Sequence, residues 1–224
     1  MLNHLKAAII LLFFTCHCYS QSELLNKGEN GLFLFSNYAT GDDASGLSGG
    51  VSFSYKGIID FGIGYGDSWL NEQSEYFTLN WNTIQFALNI IIFRYPPADT
   101  TQFGLGLGLS YAYQTYHLSY LYFEEIISED FNGNLILPSI GAYLNTNLSS
   151  KLDLQYLISL GYLVGDAENS KVRITDGSWA FSMGTTLAYK PSSALILFLS
   201  PIISIAEDEL TFGVNLGMSF ITNK

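Results

Sequence analysis

The residues best equipped for chemistry are His117 and Ser119. They stand two apart, and in an extended strand that spacing puts both side chains on one face. Glu124 and Glu125 follow shortly after. A hydroxyl, an imidazole and a carboxylate are the parts of an activated nucleophile, with Ser119 attacking, His117 as base and Glu125 (or Glu124) orienting the ring. The competing reading is a histidine in a tyrosine-rich rim. Tyr116, Tyr120, Tyr122 and Phe123 surround the pair, and such rings stack on sugars, contact a partner or form an interfacial belt.

The same stretch offers oxygen ligands. Glu124, Glu125, Glu129 and Asp130 are candidates for holding Ca²⁺ or Mg²⁺, but their spacing is not that of an EF-hand loop, so the alternative is a solvated acidic rim. Asp60, Asp153 and Lys190 form a third set. All three fall on the less apolar phase of their segments, near tight turns, and Asp153 and Lys190 are expected to pair inside a lumen. The glycines at 62, 64 and 66 and at 104, 106 and 108 are not phosphate loops. They alternate within extended segments and lack a following Gly-Lys-Ser/Thr. No cofactor motif is present, so no cofactor is expected.

Composition narrows the setting. Hydrophobic residues make up 48% of the 224, and only 13% are charged, about half the ~25% usual for soluble domains. The formal net charge of −11 argues against a nucleic-acid partner, which needs a basic footprint. Residues 1–20 read as a secretory signal peptide: Lys6, then the apolar run Ala7–Phe14, then Cys18-Tyr19-Ser20, with cleavage expected after Ser20. The apolar run is far shorter than the roughly 18 residues a membrane-spanning helix needs. Both cysteines, Cys16 and Cys18, fall inside the signal peptide, so disulfides and thiolate metal sites are not expected in the mature chain. Residues 21–30 read as a polar lead-in.

From 31 to 221 the apolar residues recur at every second position, the strand period. Phe103, Leu105, Leu107, Leu109, Tyr111 and Tyr113 alternate with Gly, Ser and Ala; Leu210, Phe212, Val214, Leu216, Met218 and Phe220 repeat the theme. Six clear runs and four weaker ones, at 31–40, 46–56, 132–148 and 192–205, give about ten strands in an all-β, up-and-down antiparallel transmembrane barrel. Short turns are expected at Lys56-Gly57, 95–100, Ser149-Ser150 and Pro191-Ser192. Longer acidic loops are expected at 41–46, 66–75, 117–131, 165–177 and 206–209. Between Trp81 and Ile84 the apolar phase changes from odd to even, which predicts a β-bulge near Asn82-Thr83.

A soluble barrel would carry Lys, Glu and Arg on its outer face. Here the non-apolar phase is Gly, Ser, Asn, Gln and Thr, which suits a lumen, and the Leu, Ile and Phe phase suits lipid. On these grounds the chain resembles bacterial outer-membrane β-barrel proteins of the small porin-like kind. Gly213 to Phe220 is similar to that family's final-strand assembly signal, although Ile221 to Lys224 extend past the terminal aromatic. The resemblance implies an outer-membrane location, lipid and lipopolysaccharide as surroundings, and insertion by the barrel-assembly machinery. His117-Leu118-Ser119 also resembles part of the site of outer-membrane lipid A deacylases, with Tyr120 where those enzymes usually carry Asn. The leading expectation is a non-enzymatic structural or surface-interaction barrel with acidic outer loops. The rivals are a lipid A deacylase-like hydrolase and a narrow small-solute channel.

Overall fold

The computed structural model describes residues 24–73, 76–98, 101–122, 125–168, 173–206 and 209–223. Their ten strands are β1 (Asn30–Gly41), β2 (Ala44–Tyr55), β3 (Ile59–Leu70), β4 (Phe77–Ala98), β5 (Thr101–Tyr122), β6 (Glu125–Ser149), β7 (Leu152–Glu168), β8 (Arg173–Ser192), β9 (Leu195–Ala206) and β10 (Glu209–Asn223). Each pairs antiparallel with its sequence neighbours, and β1 pairs with β10 to close a barrel. Closure gives every strand two partners, which satisfies backbone groups in hydrocarbon. At the β2–β3 turn Lys56 and Gly57 both have positive φ, as the two central residues of a type I′ turn require. The amide of Ile58 donates to Tyr55 O at 3.0 Å across that turn.

Register fixes the geometry. Starting at Gln102 on β5 and stepping across partners, the inward row runs Asn145, Gln155, Thr186, Ser200, Asn215, Asn37, Ser48, Gly66 and Thr83. It returns to β5 at Gln114. The row has climbed 12 residues in one circuit, from Gln102 to Gln114. For ten strands this stagger corresponds to a tilt of roughly 40° and a backbone radius of roughly 10 Å. Strands of 12 residues such as β1 then rise about 30 Å, just crossing an apolar band of ~25 Å, and the 25-residue β6 is about twice as tall.

Across the lower and middle barrel the apolar phase faces outward. Leu107, Leu109, Ile140, Ile158, Leu199 and Leu216 are exposed on the wall, whereas Gln85, Gln114, Gln155 and Asn215 are buried in the lumen. In the upper barrel the chemistry of the two faces inverts. On β5 the outward side chains pass from Tyr111 and Tyr113 to Thr115, His117 and Ser119, and the inward ones from Gln114 to Tyr116 and Leu118. This is the physics of a wall leaving hydrocarbon for water: outside becomes polar, and the lumen becomes the place to bury apolar area.

That inversion corrects two expectations. No bulge lies at Asn82-Thr83, because β4 pairs with β5 without interruption from Phe77 to Ile91. Leu79 and Trp81 point into the lumen and Ile84 and Phe86 point out to lipid, so what changes is the solvent and not the pleat. The irregularity in β4 falls between Ile91 and Phe93 instead and turns Arg94 inward. The long loops expected at 117–131 and 165–177 are also mostly strand, since β5 runs to Tyr122 and β6 begins at Glu125, while β7 runs to Glu168 and β8 begins at Arg173. The segment 41–46 reduces to Asp42-Asp43 between strands. Ladder hydrogen bonding continues where hydrophobic alternation has ended, so the pattern under-reads strand length.

The glycine ladders leave room for side chains from neighbouring strands. Gly104 pairs with Arg94 on one side and Tyr143 on the other. A Cβ there would fall inside the Tyr143 ring. Tyr143 lies across the gap, and its phenolic oxygen accepts a bond of 3.0 Å from Arg94 Nε. Gly104→Val is expected to cost about 1–3 kcal/mol by overpacking a buried ring that has nowhere to go. Urea unfolding in lipid vesicles reads it, and an unchanged midpoint would show that Tyr143 is free to swing aside.

Candidate functional site

Two regions carry the side chains of interest: the lumen and the outer wall above the apolar band.

Buried apolar side chains gather in the lumen near both ends. At the upper end Trp81, Tyr116 and Phe131 occupy successive positions of one inward row across β4, β5 and β6. Trp81 and Tyr116 stack with centroids 6.2 Å apart, and Tyr116 and Phe131 stack at 4.7 Å and 7°. Leu79, Leu118, Leu135, Leu137, Leu163 and Ile202 complete a buried apolar cluster around them. Beneath it, Tyr116 donates its phenol to Gln114 Oε1 at 2.5 Å, which ties the plug to the polar middle of the lumen.

At the lower end the segment preceding β1 folds into the mouth. Leu24 and Leu25 pack with Phe33, Ala188, Ile196 and Phe198, with Phe35 and Ile221 against them. Arg94 fixes this stopper, donating to Leu25 O (3.1 Å) and to Gly57 O (2.8 Å). Gly28 N donates to Lys56 O at 2.8 Å and holds the segment to the β2–β3 turn. A purely polar reading of residues 21–30 overlooked Leu24 and Leu25. Beside the stopper lies a cavity of about 430 Å³ lined in part by Glu29, Lys151 and Lys190.

The predicted lumen charges sit in this lower half. Lys190 and Asp153 form an ion pair, with Asp153 almost wholly buried and Lys190 partly exposed. Asp60 is buried on β3 at 2% exposure, opposite Asn89.

On the outer wall β5 and β6 form polar rungs. His117 and Asp130 are direct partners, with Nδ1 2.9 Å from Asp130 Oδ1, and Ser119 and Ser128 are hydrogen-bonded at 2.9 Å. Thr115 donates to Asn132 at 3.2 Å one rung below. The carboxylate beside His117 is therefore Asp130. Glu125 pairs with Tyr122 near the hairpin tip and follows the opposite phase from Ser128 and Asp130, so the fold does not bring it to His117. Glu124 and Phe123 lie outside the described residues.

Strand alternation also separates the metal candidates. Asp130 faces out to His117, whereas Glu129 follows the inward phase and accepts the phenol of Tyr120 at 3.1 Å. Among the described residues no group of three or more His, Cys, Asp or Glu is placed to hold a metal. Of the predicted aromatics, Tyr116 is in the plug and Tyr122 is exposed. No sequence signal pointed to the Asp130 partner or to the Arg94 clamp. The hairpin register would have found the first, and the bulge at Ile92 governs the second.

No protein-family model matches the sequence, and no curated protein matches it. Among solved structures the chain is similar to the translocator domain of the autotransporter NalP from Neisseria meningitidis. The identity is 14%, covering 97% of this chain and 96% of that one, with a TM-score of 0.65. It is also similar to the β domain of the Bordetella autotransporter BrkA, at 7% identity over 88% of this chain and 100% of that one, TM-score 0.55. Closed antiparallel pairing, an apolar outer belt and these likenesses define the class: the fold is that of bacterial outer-membrane β-barrels. Within it the chain is a ten-stranded barrel with buried apolar clusters at both ends of the lumen and a tall, polar upper wall.

Proposed function

We propose that this chain is a sealed surface-interaction barrel whose working part is the acidic upper rim. The observation that supports the reading is the pair of buried apolar clusters, with Trp81, Tyr116 and Phe131 in the upper lumen and Leu24 and Leu25 in the lower mouth, which are expected to interrupt a water path. This weighs against the small-solute channel. In this reading residues 1–20 direct export and are cleaved near Ser20, the barrel-assembly machinery inserts the chain, and lipid and lipopolysaccharide surround the apolar belt. The acidic rim meets lipopolysaccharide through loosely shared divalent cations.

The hydrolase is the second reading, favoured by the His117–Asp130 pair. Against it, the described hydrogen bond of Ser119 goes to Ser128 and not to the imidazole.

Planar-bilayer recording tests the main reading. The wild-type protein is expected to give no discrete conductance steps. Combining Leu25→Ser with Trp81→Ala and Phe131→Ala, which removes apolar bulk from both stoppers, is expected to create them. Discrete wild-type steps would establish the channel instead. Release of fatty acid from purified lipopolysaccharide, lost in Ser119→Ala, would establish the hydrolase.

A further inference from the structure

Proline inside a sheet removes a ladder hydrogen bond, because it has no N–H to donate. Two prolines interrupt pairing in the middle of this wall. On β6 the pairing with β7 passes from Ile136–Val164 to Ser139–Gly161 and skips Pro138. On β9 the pairing with β8 passes from Gly184–Ile202 to Leu187–Leu199 and skips Pro201. The two gaps differ in what stands opposite. By register Pro138 faces Tyr162, a bulky ring on the outer wall, whereas Pro201 faces Thr185, a small side chain.

The gap at Pro201 is open on the outside. A groove of about 280 Å³ lies over it, lined by Tyr156, Ile158, Met183, Thr185, Pro201 and Ile203 among others. On the lumen side Thr186 Oγ1 and Ser200 Oγ are hydrogen-bonded at 2.8 Å and buried, so side chains close the seam where the ladder skips. The groove is thus a recess in the wall and not a passage. On β8 it lies between Trp179 and Tyr189, exposed rings at the two ends of an outward apolar face that includes Phe181, Met183 and Leu187. Such rings mark the membrane interfaces, which sets the recess in hydrocarbon. A second protein wall could fill it only with a matching knob, whereas a flexible hydrocarbon chain fits a narrow apolar recess by itself.

Charge selects the leaflet. Among the described residues every lysine (Lys27, Lys56, Lys151 and Lys190) lies at the lower end, opposite the acidic rim. Because the lumen row climbs toward higher-numbered strands, a line dropped from Thr185 drifts across β7 toward the β6–β7 turn. Lys151 is exposed in that turn, roughly 20 Å below the recess. One leaflet with its headgroups is also roughly 20 Å deep. A lipid with its phosphate at Lys151 therefore reaches the recess with the far half of a chain.

We propose that the recess at the β8–β9 seam seats one acyl chain of an anionic phospholipid from the lower leaflet, with the phosphate held near Lys151.

The test uses the full-length protein in phosphatidylcholine nanodiscs doped with phosphatidylglycerol that carries a photoreactive diazirine within one chain. Cross-links are expected to concentrate on residues 183–185 and 201–203, at least about fivefold above residues 61–63 on the opposite wall. Thr185→Leu fills the recess without adding charge and is expected to abolish the excess. Pro201→Val restores the missing donor and draws the seam together, so it should lower the excess too; it keeps the test decisive if Thr185→Leu does not fold. Lys151→Glu should reduce labelling by phosphatidylglycerol but not by phosphatidylcholine bearing the same chain. Even labelling round the wall, an excess that survives both recess variants, or protein–protein cross-links at 183–185 in place of lipid would overturn the proposal. So would indifference to Lys151→Glu, or equal labelling by lipid A bearing the same diazirine.

Discussion

Replacing Trp81 with alanine is expected to destabilise the barrel by about 3–5 kcal/mol, the range for deleting a large buried ring from a packed core. Trp81 is wholly buried and is the outermost ring of the stack that continues through Tyr116 to Phe131. Its loss removes the apolar contacts of the indole and leaves Tyr116 covered on one face only. The fold has little means of closing the gap, because the ladders of β3, β4 and β5 hold the wall at fixed distance. Trp81→Phe keeps most of the contact and should cost less than half as much. Urea unfolding in lipid vesicles gives both numbers. A Trp81→Ala protein within 1 kcal/mol of wild type would show that the upper cluster is incidental filling.

The second large effect is expected at Lys190. Its ammonium is the described ion-pair partner of Asp153, whose side chain is only 3% accessible. Removing one member of a buried pair costs about 3–5 kcal/mol, mostly because a charge is left without compensation. Lys190 is 29% accessible, so water screens part of the interaction, and Lys190→Ala should cost about 2–3 kcal/mol. The double variant Asp153→Asn with Lys190→Met removes both charges and should recover most of the loss. If the double variant is no more stable than the single one, the pair contributes through packing of the lysine stem and not through charge.

Much of this architecture was legible in the sequence. The lipid-facing belt could be read because each strand crossing hydrocarbon must expose apolar side chains at every second position, and Leu105, Leu107 and Leu109 do so without interruption. The Asp153–Lys190 pair was legible for the same reason: phase and proximity to a tight turn place both inside. The upper barrel was harder. Trp81, Tyr116 and Phe131 lie far apart in sequence and on the phase that is polar lower down, so alternation alone assigns them to a bulge or a loop. His117 was matched to the nearest carboxylates in sequence, Glu124 and Glu125. Its cross-strand partner depends on how far the hairpin extends, which lipid-facing alternation cannot report once the outer face has left hydrocarbon. The inward turn of Arg94 was not legible, because one extra residue, Ile92, decides which way it points.

The lower stopper couples the two ends of the chain. Leu24 and Leu25 lie a few residues before β1, yet the residues that receive them include Ile196 and Phe198 of β9 and Ile221 of β10. Those strands are the last two of the barrel in chain order. The N-terminal segment therefore has no complete seat until the C-terminal strands arrive, and shutting the seam between β1 and β10 also corks the base. A chain arrested one strand short would be both open along its side and leaky from beneath.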